Sequence, residues 1–305
     1  MSNEIELKFQ INQSDIEHLQ SYLNQWVYCD EVEFSSQKNL TNQLKLTNTY
    51  YDTEDHLLRQ NGCGLRIRST EDGQNKCYEI TVKSKGNSVS GLHERIEINR
   101  PLPNDKLDLS VLPKEALPDG LIQLNPLFTT NFKRQTWLIS FANSEIEVAL
   151  DIGSITSNGQ SKPIQEVELE IKQGNKQDLI NFAIELSRFS LHLFSQSKAS
   201  RGYRLFLNVP LTPSVYSPQI EQDLPSLLNF WQQNEEYALE NNDLTYYKQL
   251  IIQINEILIN KNFEIEPEFQ QWQMAMQRIN SIKNFAYSEV NTKFKLRLIS
   301  EINKI

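Results

Sequence analysis

The stretch Glu4-Ile5-Glu6-Leu7-Lys8, continued by Phe9-Gln10-Ile11, decides the fold of this chain. Two acids and a lysine hold strict alternate positions, and Ile5, Leu7, Phe9 and Ile11 fill the places between them. Side chains of a β-strand point alternately to its two faces, so one face here carries Glu4, Glu6 and Lys8 and the other is apolar. The pattern recurs downstream. Leu65-Arg66-Ile67-Arg68 sets two arginines on one face, and Glu79, Thr81, Lys83 and Lys85 oppose Tyr78, Ile80 and Val82. Arg95 and Glu97 alternate with Ile96 and Ile98, and Arg134 and Thr136 oppose Lys133, Gln135 and Trp137. Glu147 and Asp151 alternate with Val148, Leu150 and Ile152, and Glu166, Glu168, Glu170 and Lys172 with Val167, Leu169 and Ile171.

For any single strand the alternative is the solvated face of an antiparallel sheet, which carries mixed charge. The set points elsewhere, because like charges are grouped by segment and exposed ion pairs are worth at most about 1 kcal/mol. A closed barrel with its charged faces inward brings acidic and basic strands opposite one another around a polar lumen. Its apolar faces then point outward and need helices to cover them. Such a lumen suits a metal-bound polyphosphate. Arginine forks and lysine ammonium groups bind phosphate oxygens, and a hard divalent cation relieves the repulsion between phosphate and carboxylate. The chemistry that follows is metal-assisted phosphoryl transfer to water. No P-loop (GxxxxGK[ST]) is present, and no Ser–His or Cys–His nucleophile pairing is apparent.

Composition sets the outer bounds. At 305 residues, 39% hydrophobic and 23% charged, the chain has room for one large domain or two ordinary ones. Net charge is −9, with 22 Lys+Arg against 27 Asp+Glu through Pro210 and 8 against 12 beyond it. Neither part is basic, which argues against a nucleic-acid-coating surface. No apolar run approaches the roughly 20 residues of a membrane span. The start MSNEIELK lacks a secretory signal, and Cys29, Cys63 and Cys77 lack CxxC spacing, so the expectation is a cytoplasmic protein with reduced thiols.

Period-two alternation predicts strands at Glu4–Ile11, Leu44–Tyr51, Gly64–Ser69, Cys77–Lys85, Gly91–Arg100, Phe132–Phe141, Glu145–Gly153, Gln165–Lys172 and Tyr203–Leu207. Helical periodicity appears at Ser14–Trp26 and Lys176–Leu193. A proline-rich stretch, 208–218, reads as a linker, and 219–305 reads as a small all-helical bundle cored by Trp231, Trp272 and aliphatic stripes. His93 is expected at a turn or surface, and His18 and His192 at helix positions.

The ordered motifs resemble the CYTH superfamily, the triphosphate tunnel metalloenzymes. They are ExExK at Glu4, Glu6 and Lys8, Tyr50-Tyr51-Asp52-Thr53, Leu65-Arg66-Ile67-Arg68 and Thr81-Val82-Lys83. Arg134 with Trp137, Ala149-Leu150-Asp151, Glu166, Glu168 and Glu170, and Ser197-Lys198 with Arg201-Gly202-Tyr203 follow in order. Gly91-Leu92-His93 and 105–112 look most like the bacterial inorganic triphosphatase branch. The resemblance implies an α+β fold: an eight-stranded antiparallel tunnel over 1–207 with flanking helices, followed by the C-terminal helices. It implies Mg²⁺-dependent (or Mn²⁺-dependent) hydrolysis of tripolyphosphate to diphosphate and phosphate. Glu4, Glu6, Glu168 and Glu170 become metal-facing carboxylates, and Asp151 a further ligand or water-orienting group. Lys8, Arg66, Arg68, Lys83, Arg134 and Lys198 become the catalytic grip on the triphosphate, with Lys85, Arg95 and Arg201 as additional substrate-binding candidates. Thiamine triphosphatase, class IV adenylate cyclase and a non-catalytic polyphosphate- or nucleotide-binding module stay open as alternatives. Members of this branch often carry a histidine-bearing CHAD domain; here all four histidines precede the helical region, so 219–305 is read as truncated, degenerate or unrelated. Those helices are also candidates for homodimerisation or partner docking.

Overall fold

The alternating strands close on themselves, and their charged faces turn inward. The computed structural model describes residues 2–29, 42–84, 86–260 and 266–302. The chain opens with β1 (Ser2–Ile11), α1 (Ile16–Cys29), β2 (Asn42–Asp52) and the single turn α2 (Leu57–Gln60). It continues through β3 (Gly64–Glu71), β4 (Lys76–Lys83), β5 (Asn87–Val89) and β6 (Leu92–Leu102). Three long strands follow, β7 (Asn125–Phe141), β8 (Ser144–Ser157) and β9 (Gln160–Gln173). Then come α3 (Lys176–Leu186), β10 (Leu191–Leu193) and α4 (Lys198–Leu207).

Around the barrel the order is β1-β9-β8-β7-β2-β3-β4-β6 and back to β1, with every pairing antiparallel. Closure leaves those eight strands without a free edge. β1 changes partner along its length: Ser2–Leu7 pair with β6, and Phe9–Ile11 pair with β10. Lys8 sits at that seam.

The outward apolar faces are covered in two ways. Leu65, Ile67, Ile80, Val82 and Ile98 lie under the excursion between β6 and β7, whose Leu107, Leu109, Val111 and Leu112 pack on them. Leu7, Phe9, Trp137, Val148 and Leu169 lie under α1, α3 and the C-terminal helices. Each such fully buried side chain contributes about 1.5–3 kcal/mol of hydrophobic stabilisation.

The C-terminal part comprises α5 (Gln219–Gln222), α6 (Leu224–Asn241), α7 (Leu244–Ile259), α8 (Glu266–Met276), α9 (Ile282–Ala286) and α10 (Glu289–Ile302). Pro225 lies in the first turn of α6, where its missing N–H costs nothing. Trp231 and Trp272 meet edge-to-face at 5.2 Å in a core continuous with that of the barrel wall. Among the described residues no helix is long and apolar enough to cross a membrane.

Two elements differ from expectation. Tyr203–Leu207 is the second half of α4, not a strand. Ser197 Oγ accepts from the Ser200 amide at 3.0 Å and starts the helix, and Asn208, at φ 52°, ends it. Lys198, Gly202 and Leu205 are buried at helical spacing, so the apolar residues at 203 and 205 belong to a helical stripe. A Cβ on Gly202 would lie 2.0 Å from the Phe128 ring, so only glycine lets α4 seat against β7. The helix beginning at Lys176 stops at Leu186, and Ser190 at φ 49° turns the chain into β10, which makes His192 a buried strand residue.

Candidate active site

Strand register brings the charged side chains together. Glu4 stands opposite Arg95, Lys83 opposite Glu97, Lys8 opposite Glu168 and Arg134 opposite Asp151. These faces enclose a cavity of about 560 Å³ lined by Glu4, Glu6, Lys8, Arg66, Arg68, Lys83, Arg95, Arg134, Glu168, Glu170 and Lys198. Lys83 Nζ lies 2.8 Å from both Glu4 and Glu97, and Arg95 reaches Glu4 at 3.2 Å and Glu6 at 2.8 Å. Lys8, 2% exposed, lies 3.3 Å from Glu6 and 3.2 Å from Glu168. The Arg134 fork donates twice to Asp151, both at 2.7 Å, and once to Glu168 at 2.7 Å. Lys198, at the start of α4, lies 2.7 Å from Asp151, 2.7 Å from Glu166 and 2.9 Å from Glu168.

Charge is not balanced uniformly along the lumen. Glu6, Glu170 and Glu147 are directly opposite one another on β1, β9 and β8, an arrangement that like charges disfavour. Burial raises the Glu170 carboxyl above its ordinary value, against the pull of Lys172, and Glu4 and Glu147 add to the rise. Elsewhere in the lumen Arg66, Arg68 and Arg134 crowd together. Burial pushes the Arg68 guanidinium down to about 10, and repulsion from Arg66 and Arg134 contributes. Its Nε donates to Asn48 Oδ1 at 2.8 Å, while Glu79 is 3.6 Å away. Like charges are thus crowded in both regions, although Lys172 lies 3.1 Å from Glu147 and 2.8 Å from Glu170, and Glu6 is held by Lys8 and Arg95.

Most of the sequence-selected residues converge on this cavity. Asp151 is fully buried behind it, clamped by Arg134 and Lys198. Arg201 lines a different cavity, bound to Glu166 and to the Pro163 carbonyl. Lys85 lies outside the described residues. Among the lining residues that escaped selection are Lys172, Glu97, Glu147 and Tyr50, although alternation had put the first three on the right faces. Glu97 bridges Lys83 at 2.8 Å and Arg66 at 3.5 Å, and Glu147 completes the acidic row. Tyr50 stacks on Phe128 at 4.6 Å; burial opposes its ionisation, yet the hydrogen-bonded Arg66 holds its hydroxyl below the ordinary phenol value. His93 is not a surface histidine: it is 6% exposed, opposite Glu6. Burial, reinforced by Lys8, drops it to about 3, so it is neutral near pH 7.

The donor set fits a hard divalent cation. Carboxylate oxygens of Glu4, Glu6, Glu168 and Glu170 line the lumen; Cys63 lines it too, but burial pushes its thiol up, and oxygen ligation suits Mg²⁺ or Mn²⁺. Among the described residues, the acids whose carboxylate oxygens come within 4.8 Å of one another in a group of three are Asp151, Glu166 and Glu168, and Lys198 already contacts all three.

Asp52 and Tyr203 belong to the scaffold. Asp52 is fully buried, accepting from the amides of Thr53, Leu58 and Arg59 at 2.8, 2.9 and 3.1 Å and from Tyr203 Oη at 2.7 Å. That last bond ties α4 to the end of β2. Tyr203→Phe is expected to lower unfolding free energy by about 1.5–3 kcal/mol, the range for a hydrogen bond to a charged group. Chemical denaturation would measure the loss.

Comparison with known proteins identifies relatives of the chain. The CYTH domain family matches residues 2–203. An inorganic triphosphatase of Haemophilus influenzae is 32% identical over 319 aligned positions, spanning 100% of this chain and 81% of its own. Among solved structures, a Hippeastrum protein described as a candidate adenylyl cyclase with a dominant triphosphatase activity aligns with TM-score 0.46 and 15% identity. That alignment covers 68% of this chain and 97% of the other. A candidate adenylate cyclase of Bacillus halodurans gives TM-score 0.41 and 21% identity over 66% and 98% of the two chains. With the family match spanning the whole barrel and a relative of this identity covering all of this chain, the chain belongs to the CYTH family.

Proposed function

We propose that this protein hydrolyses inorganic triphosphate to diphosphate and phosphate inside the barrel, using Mg²⁺, or Mn²⁺ in its place. The observation that carries the proposal is the presence of two like-charge clusters in one lumen. Arg66, Arg68 and Arg134 crowd one another, and Glu6, Glu147 and Glu170 stand side by side. A metal-bound polyphosphate answers both. The whole-length similarity to an inorganic triphosphatase supports the choice of substrate.

In this account Lys8, Arg66, Arg68, Lys83, Arg134 and Lys198 bind and orient the phosphate oxygens, with Arg95 held by Glu4 and Glu6 beside them. Glu4, Glu6, Glu168 and Glu170 hold the divalent cation, which when bound neutralises charge on the phosphate oxygens next to these carboxylates. Asp151 fixes Arg134 and Lys198 from behind through its contacts at 2.7 Å. Lys8, Arg66 and Lys198 are buried around the lumen, where a lowered dielectric strengthens their hold on phosphate oxygens.

The test is phosphate release from tripolyphosphate, ATP, thiamine triphosphate and diphosphate, each with Mg²⁺, Mn²⁺ or EDTA. Release is expected to be fastest from tripolyphosphate, slow from diphosphate and absent in EDTA. No metal-dependent release from any triphosphate would overturn the proposal, and tight binding without turnover would make the protein a binding module. Faster release from thiamine triphosphate, or cyclic AMP and diphosphate from ATP, would reassign the substrate.

A further inference from the structure

Helix α6 presents Asn229, Gln232, Glu236 and Glu240 at spacings of three and four, which places them on one face. That face grips the segments framing Lys8 and Lys198. Asn229 Oδ1 accepts from the Ser90 amide at 2.9 Å, and Gln232 bonds Ser90 Oγ at 3.3 Å and the Leu193 carbonyl. Glu236 accepts from the Ser195 amide at 2.6 Å, Ser195 Oγ at 3.0 Å, Gln196 Nε2 at 2.9 Å and Gln232 Nε2 at 2.9 Å. Arg204, on α4, joins Gln196 at 2.6 Å to Glu240 at 2.8 Å.

The gripped residues lead directly into the lumen. The Phe194 amide donates to the Lys8 carbonyl at 2.9 Å, and the Lys8 amide donates to Gly91 at 3.0 Å. Gly91, at φ 96°, would bring a Cβ to 3.2 Å of both the Lys8 carbonyl and the Phe194 amide, so the seam is tight. Lys198 follows Gln196 by two residues and serves three carboxylates at once. Its ammonium therefore has little freedom to shift without losing one of them.

Glu236 is the unusual member of this stripe. It is 3% exposed, and its four donors are all neutral. Burying a carboxylate without a cation in its hydrogen-bonding shell is a costly way to gain stability. It is an effective way to fix a backbone amide and three side chains at once, because hydrogen bonds to a charged acceptor are about twice as strong as neutral ones.

We propose that Glu236 is a positioning residue for Lys198, so that the C-terminal helices form part of the working site. The proposal rests on the triphosphatase function set out above. Glu236 touches neither substrate nor metal; it acts by holding residues 195–196, and through them the start of α4.

The test is a double-mutant cycle on the full-length protein with tripolyphosphate and Mg²⁺. Glu236→Ala is expected to lower kcat/KM about 30-fold and Glu236→Gln about fivefold, within the range for misplacing a reacting partner. In a Lys198→Ala background either change is expected to cost less than about twofold, because residues acting through one another are not additive. Full additivity, or a kcat/KM for Glu236→Ala within about twofold of the unaltered protein, would overturn the proposal, since a purely structural residue lowers Tm without coupling to Lys198. If Glu236→Ala does not fold, the Glu236→Gln cycle decides. A lack of turnover in the unaltered protein would refute the triphosphatase function alone, and the same cycle is then read in the calorimetric Kd for tripolyphosphate.

Discussion

Arg68→Met is expected to lower kcat/KM for tripolyphosphate by about 10²–10³-fold, the usual consequence of removing one preorganised charge from a transition state. Its Tm is expected to stay the same or rise. Arg68 is costly to keep charged in the folded protein: burial and the neighbouring Arg66 and Arg134 pull it down to about 10 from 12.5. Shedding that charge relieves the fold, offset by the lost bond to Asn48. A residue placed for packing shows the opposite pattern, with stability lost and turnover kept. Steady-state kinetics and a thermal melt on the same preparation separate the two. A fall in Tm with unaltered kinetics would remove Arg68 from the phosphate grip.

Lys295→Met is expected to cost about 3–5 kcal/mol, as breaking a buried ion pair does by leaving its partner uncompensated. For a chain of this size that corresponds to a Tm lower by on the order of 10 °C. Lys295 and Glu235 are 1% and 0% exposed, beneath Trp231 and beside His192 and Tyr247. Burial would raise the Glu235 carboxyl, but Lys295 and His192 bring it down to about 2. A carboxyl held below its unfolded value contributes stability that is fully present above about pH 4.5 and is lost as pH falls toward about 2. Pairing Lys295→Met with Glu235→Gln is expected to recover part of the loss and to flatten acid unfolding in that window. A Lys295→Met melt within about 1 kcal/mol of the unaltered protein would show that the pair does not hold α10 to α6.

Much of this was legible because strand alternation has a period of two and ties charge to face. Glu4, Glu6 and Lys8 could be assigned to one wall from the sequence, as could Arg66 with Arg68 and Glu168 with Glu170. What alternation does not carry is register. Nothing local to Glu147 says that it stands opposite Glu170, or that Glu97 spans Lys83 and Arg66; those are non-local pairings. Alternation also misleads where a short helix has apolar residues two apart, as Tyr203 and Leu205 do in α4. Ser197 as N-cap and Asn208 at the far end were the signals that favoured a helix there. His93 shares its strand face with Arg95 and Glu97, so its place in the lumen wall was available from alternation; its burial depended on the closure of β6 onto β1. The polar stripe on α6 reads as an ordinary solvated helix face until the barrel wall is placed against it.

The central claim is that the acidic row and the arginine cluster are two halves of one recognition surface, completed by metal and triphosphate together. Binding of each must then strengthen the other by the same factor. Calorimetric titration of tripolyphosphate, with Mg²⁺ and again in EDTA, measures that factor directly. The affinity is expected to be at least about tenfold higher with Mg²⁺, a coupling of about 1.4 kcal/mol or more. Equal affinity in the two titrations would contradict the account.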